Sequence, residues 1–137
     1  MAVCKRVHPT KAKRILAALP FGLLLASAPL IAEPGEMKVA TFVQKAGELQ
    51  KMGAAALFSS ERKALRAEAQ AAAGNYRARM ASDRKAGRPP HSCPPGDADL
   101  DRDELLAHLR SYSPEAQSRL SIDAAFADLM KKRYPCR

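Results

Sequence analysis

His91, Ser92 and Cys93 stand side by side in a proline-rich stretch, and a thiol beside an imidazole is the pairing that a cysteine nucleophile requires. His91, Cys93, His108 and Cys136 are also the donor types of a zinc site. No C-x-x-C or H-x-x-x-H spacing brings two of them onto one turn, however. A cysteine held in a disulfide is neither a nucleophile nor a ligand, so the state of Cys93 decides both questions. A third candidate is the acidic run Asp97, Asp99, Asp101, Asp103 and Glu104. With Asp97 as position 1 it places oxygens at positions 1, 3 and 5 of a calcium-binding EF loop, but position 6 is Arg102 where glycine is needed and position 12 is His108 where glutamate is needed. The run reads as the acid-decorated start of a helix. There is no G-x-S-x-G, no H-E-x-x-H and no glycine-rich phosphate loop. The expectation is a protein that is not an enzyme and uses no metal or cofactor.

The compartment follows from the first residues. Lys5, Arg6, Lys11, Lys13 and Arg14 form a basic head without acids, and residues 15–31 are apolar and uncharged. That is the pattern of a secretory signal peptide. Pro20 and Pro29 interrupt the apolar stretch, which falls just short of the roughly 18 to 20 clean apolar residues of a spanning helix. An uncleaved membrane anchor is the alternative. Cys4 precedes the apolar stretch, so this is not a lipoprotein signal. Cleavage after Ala28 would leave Pro29 at the new terminus, a poor substrate, so cleavage after Ala32 is expected. The organisation is then a signal peptide over 1–32, one domain over 33–137, and a periplasmic location.

Removing the leader changes the composition. Of the 23 Lys and Arg, five leave, so 18 remain against 14 acids and the net charge drops from +9 to +4. The basic residues are spread among acids, with no basic block beside aromatics, so nucleic acid is not an expected partner. Cys93 and Cys136 become the only cysteines of the mature chain, and two cysteines in a small exported domain pair with each other. The closed loop of about 44 residues is worth up to roughly 4 kcal/mol in the chain-entropy model.

The elements that would position these residues are helices. Val39, Phe42, Val43, Ala46, Leu49 and Met52 recur at helical spacing, and Gly53 stops that helix. Residues 33–37 read as a polar lead-in, and residues 54–58 as a short apolar connection of about one turn. Ser59 and Ser60 can cap a long helix with Glu61 in its first turn and Leu65, Ala69, Ala72, Tyr76 and Met80 as its apolar stripe. Its charged face, with Arg66, Glu68, Arg77, Asp83 and Arg84, reads as solvated. Pro89, Pro90, Pro94 and Pro95 then break the chain. Asp101 to Glu104 has capping-box form ahead of Leu105, Leu106, Leu109 and Tyr112. Ser113-Pro114-Glu115 starts another turn, and Ser121 caps a last helix with Ile122, Ala125, Phe126, Leu129 and Met130. No segment alternates with period two. The fold class is all-α, a small bundle of four to five helices pinned by one disulfide.

Cys93-Pro94-Pro95, the helix with Leu105, Leu106 and Leu109, Tyr112, Ser113-Pro114, and the final Tyr134-Pro135-Cys136 resemble the Tai-type periplasmic immunity proteins. Asn75-Tyr76 is similar to that family's Gly-Tyr step. The resemblance implies a small exported helical protein, a homodimer, that binds and inhibits a peptidoglycan amidase toxin of the type VI secretion system. Members usually carry further cysteines nearer the mature N-terminus, and this chain has none there. The alternative is a helical envelope protein with a structural or chaperone-like role and no toxin partner. The candidate partner-binding residues are Arg88 and His91, in the rigid loop over 87–96, and Arg77 and Arg84 on the long helix. No stable membrane anchor is expected after cleavage.

Overall fold

The computed structural model describes residues 33–96 and 98–137, so residues 1–32, where a signal peptide is expected, and Asp97 lie outside the described residues. The elements are α1 (Val39–Met52), a 3-10 helix (Gly53–Phe58), α2 (Ser60–Lys85), α3 (Arg102–Arg110), α4 (Pro114–Arg119) and α5 (Ile122–Arg133). The architecture is an all-α bundle with one disulfide, and no strand occurs among the described residues.

Local chemistry sets most of the boundaries. Gly53 takes φ +57°, a left-handed value open to glycine, and ends α1. Ser59 Oγ accepts from the Glu61 amide, Ser113 Oγ from Ala116 and Ser121 Oγ from Ala124, so three helix starts are capped by a serine hydroxyl. Pro114 sits in the first turn of α4, where its missing N–H costs nothing. Asp101 differs from the capping-box expectation. It holds the N-cap position of α3, but its side chain accepts no backbone N–H, and Glu104 pairs with Arg133 of α5 instead.

The core is built around α5. Ile122, Ala125, Phe126, Leu129 and Met130 form its buried face and meet Val39 and Phe42 of α1, Leu65, Ala72 and Tyr76 of α2, and Leu105 and Leu109 of α3. α4 buries no residue and serves as a connector. Met52 falls outside the stripe expected for it and is 48% exposed at the end of α1. Glu68, expected on the solvated face, is buried and accepts the Met37 amide at 2.6 Å.

That bond belongs to an attachment with no counterpart in the sequence pattern. Residues 35–38 run antiparallel to the α4–α5 junction. The Val39 amide donates to Leu120 O at 3.0 Å, Ile122 to Met37 O at 2.9 Å and Asp123 to Gly35 O at 3.0 Å. The polar lead-in is therefore an integral edge of the domain.

Candidate functional site

The proline loop is held down at several points. Cys93 and Cys136 form a disulfide with their Cα atoms 5.0 Å apart. The Cys93 amide donates to Tyr134 O at 2.8 Å. Ser92 is 1% exposed, and its Oγ lies 2.5 Å from the hydroxyl of Tyr76, itself buried in α2. The ring of Tyr76 packs against Phe126 of α5 at 5.8 Å between centroids and meets the edge of His91 at 5.9 Å. At the loop's start, Arg88 donates to Asp83 Oδ1 through Nε at 2.8 Å and Nη2 at 2.6 Å. The disulfide thus closes a loop that α2 and the end of α5 already hold in place.

This geometry gives a mechanical reading of His91-Ser92-Cys93. Sγ of Cys93 is bonded to Cys136, so it is not a thiolate. Nδ1 of His91 lies 3.3 Å from the Tyr76 hydroxyl. Burial, with Arg79 and Lys131 nearby, holds the imidazole below its ordinary pKa. The central serine, which sequence reasoning passed over, is the buried anchor. Tyr76→Phe removes the partner of a buried hydroxyl and is expected to lower stability by about 1–3 kcal/mol. Urea unfolding measures it. Adding Ser92→Ala should recover part of the loss, and no recovery would mean that the pair is not the cause.

A second polar cluster joins α3 to α5. His108 Nε2 lies 2.9 Å from the Tyr112 hydroxyl, which donates to Asp128 Oδ2 at 2.5 Å, while Lys132 reaches the same carboxylate at 2.9 Å. Burial and the bond to Asp128 push the Tyr112 hydroxyl well above its ordinary pKa. That bond and the one from Lys132 hold Asp128 below the usual carboxylate range. Burial, then Lys132, holds His108 low. The cluster fastens two core helices and lies apart from the groove lining described below. Among the described residues no three His, Cys, Asp or Glu converge as metal ligands.

Among the described residues a groove of about 1390 Å³ is bounded by α1, α2, the proline loop and the start of α3. Its volume exceeds the several hundred cubic ångströms of a drug-sized pocket. Leu49, Ala69, Ala73, Met80 and Leu106 are half-buried on its lining. Arg62, Arg66, Arg77 and Arg84 are exposed along its α2 lip. Of the four partner-binding candidates, Arg77, Arg84 and Arg88 all line this groove. His91 does not; it is half-buried against Tyr76. Sequence reasoning missed Arg62, although its four-residue step to Arg66 places both on one face of α2. Leu57 at the groove's end is 59% exposed, and neighbouring Phe58 is 89% exposed.

In comparisons with protein-family models, curated proteins and solved structures, nothing matches this chain.

Proposed function

We propose that the protein is an exported binding module that neutralises a peptidoglycan amidase delivered by type VI secretion. The observation that carries the reading is the Cys93–Cys136 bond. It joins the first and last residues of the segment that resembles the Tai-type immunity proteins. It also fixes the proline loop at one end of an open groove before any partner arrives, and a pre-ordered surface loses little conformational entropy on binding. The reading places the chain in the periplasm after cleavage of residues 1–32, as a homodimer with no resident cofactor and no nucleic-acid partner. No helix among the described residues is long and apolar enough to cross a membrane.

The partner-binding residues then form one surface. Among the described residues Arg77 and Arg84 pair with no carboxylate along the groove, whereas Arg88 is engaged by Asp83 and His91 is partly covered. The helix pair is therefore expected to contribute more than the loop pair. The test uses the disulfide-intact protein exported with its own leader and an amidase encoded beside it. The intact mass should correspond to a chain beginning at Glu33. Inhibition should weaken about tenfold in Arg77→Ala/Arg84→Ala and less in Arg88→Ala/His91→Ala. No inhibition by the wild-type protein would sink the amidase reading. Inhibition lost only in the loop pair would move the contact to residues 87–96.

A second reading, a chaperone-like envelope role, draws support from exposed Met52, Leu57 and Phe58 at the end of α1 and in the 3-10 helix. It predicts suppression of aggregation of unrelated unfolded proteins, which a specific inhibitor does not show.

A further inference from the structure

We infer that the groove along α2 docks an amphipathic helix of a partner protein whose polar flank is acidic. The inference rests on the reading of the protein as a binding module and not on the amidase assignment.

The first observation is the register of the arginines. At 100° per residue, positions 62, 66, 77 and 84 fall within about 60° of one another around α2 and extend along about 33 Å of its axis. Ala69, Ala73 and Met80 share that side of the helix and line the groove. The apolar and cationic residues of the α2 lip thus interleave on one helix face about 80° wide, the arginines weighted to one side, on the scale of a six-turn helix.

The second observation is the charge balance of α2. Its acids are already engaged: Glu61 with Lys45, Glu68 with the Met37 amide, and Asp83 with Arg88 and Arg79. None of the four arginines has a carboxylate within 4.0 Å among the described residues. The exposed acids on the lining, Asp99, Asp101 and Asp103, cluster at the linker and the first turn of α3, and Asp103 pairs with Arg102. A ligand lying along α2 therefore meets four uncompensated positive charges in a row. Carboxylates at four-, eleven- and seven-residue steps on a helix match that row, and an apolar face at three- and four-residue steps fills the lining. Ala69 and Ala73 let its backbone approach closely.

The shape argues for a helix over a lipid surface. The apolar lining is recessed within a concavity of about 1390 Å³, which a flat bilayer does not enter. The long walls are helices, the proline loop closes one side, and among the described residues no strand edge offers backbone pairing to an extended peptide.

The probe is a fluorescently labelled helical peptide of about six turns, with leucines at i, i+3, i+4 and i+7 steps and glutamates along one flank. A second peptide carries lysine at every glutamate. Anisotropy titrations use the disulfide-intact protein and its Arg66→Glu/Arg77→Glu variant, whose changes are at exposed positions and whose fold circular dichroism checks. The expected result is binding of the glutamate peptide, at least about tenfold tighter than the lysine peptide and weakening with salt. The double variant should reverse the preference. Absence of binding, equal binding of the two peptides, or an unchanged preference in the variant overturns the inference. Retention by phosphatidylglycerol vesicles with no peptide binding would overturn it in favour of a lipid surface. Amidase inhibition separates the two proposals. Inhibition without peptide binding rejects the groove and keeps the binding module, and peptide binding without inhibition keeps the groove and rejects the amidase.

Discussion

Cys136→Ser is expected to lower the stability of the domain by about 2–4 kcal/mol. The bond spans 43 positions and encloses the second half of the proline loop, α3, α4 and α5. In the chain-entropy account its loss restores to the unfolded ensemble the freedom of that whole segment. Within that segment the packing that remains is concentrated in α5. α4 buries no side chain, and α3 contributes only Leu105 and Leu109 to the core. For a domain of about 100 residues the loss should lower the melting temperature by about 10 °C or more. Both cysteines are exposed, so a reductant should reproduce the effect in the wild-type protein and leave the variant unchanged. Thermal unfolding followed by circular dichroism, with and without reductant, reads both. Equal melting temperatures for wild type and variant would show that the Tyr76–Ser92 contact and the Cys93–Tyr134 backbone bond hold the loop unaided.

The helices were legible because their signals are local. The three serine caps, Pro114 and Gly53 each act within a turn of the chain, and the buried stripe of α5 follows the helical period closely. The disulfide followed from an expectation about compartment, since cleavage after Ala32 would leave only Cys93 and Cys136. What escaped was long-range polar pairing. Glu68 reads as one more charge on a solvated face, and only the arrival of the lead-in segment gives its carboxylate a buried amide to accept. Asp101 to Glu104 satisfies a capping box on paper, yet Arg133, 29 positions downstream, takes Glu104 away.

The candidate site was legible by halves for the same reason. Arg77 and Arg84 share a helix face by arithmetic alone. Whether such a face is solvated or borders a groove depends on where α1 and α3 pack, and no local pattern records that. The loop over 87–96 reads in the sequence as a rigid, protruding candidate contact. Its prolines do make it rigid, but Ser92 turns inward to Tyr76 and draws the middle of the loop against α2.

Gly35→Ala is expected to cost about 2–5 kcal/mol, a large effect for a residue in a segment that reads as a polar lead-in. Two independent terms add. Gly35 sits at φ +100°, a backbone region where a side chain is strained whatever the space around it. A Cβ there would also run into the carboxyl group of Asp123, with Asn75 close behind. Neither neighbour yields easily. Asn75 Nδ2 donates to Asp123 Oδ2 at 2.8 Å and reaches Pro34 O at 3.3 Å, and the Asp123 amide is bonded to Gly35 O. Displacing Asp123 thus pulls on the first turn of α5, whose Ile122 is fully buried beside it. Urea unfolding of Gly35→Ala, Asp123→Ala and the double variant separates the two terms. If the overlap contributes, Gly35→Ala costs less in the Asp123→Ala background by about 1–3 kcal/mol, because the obstructing carboxyl is gone and only the backbone strain remains. Strict additivity would assign the whole effect to the backbone. A Gly35→Ala protein as stable as wild type would mean that the lead-in does not form the antiparallel edge with residues 120–123.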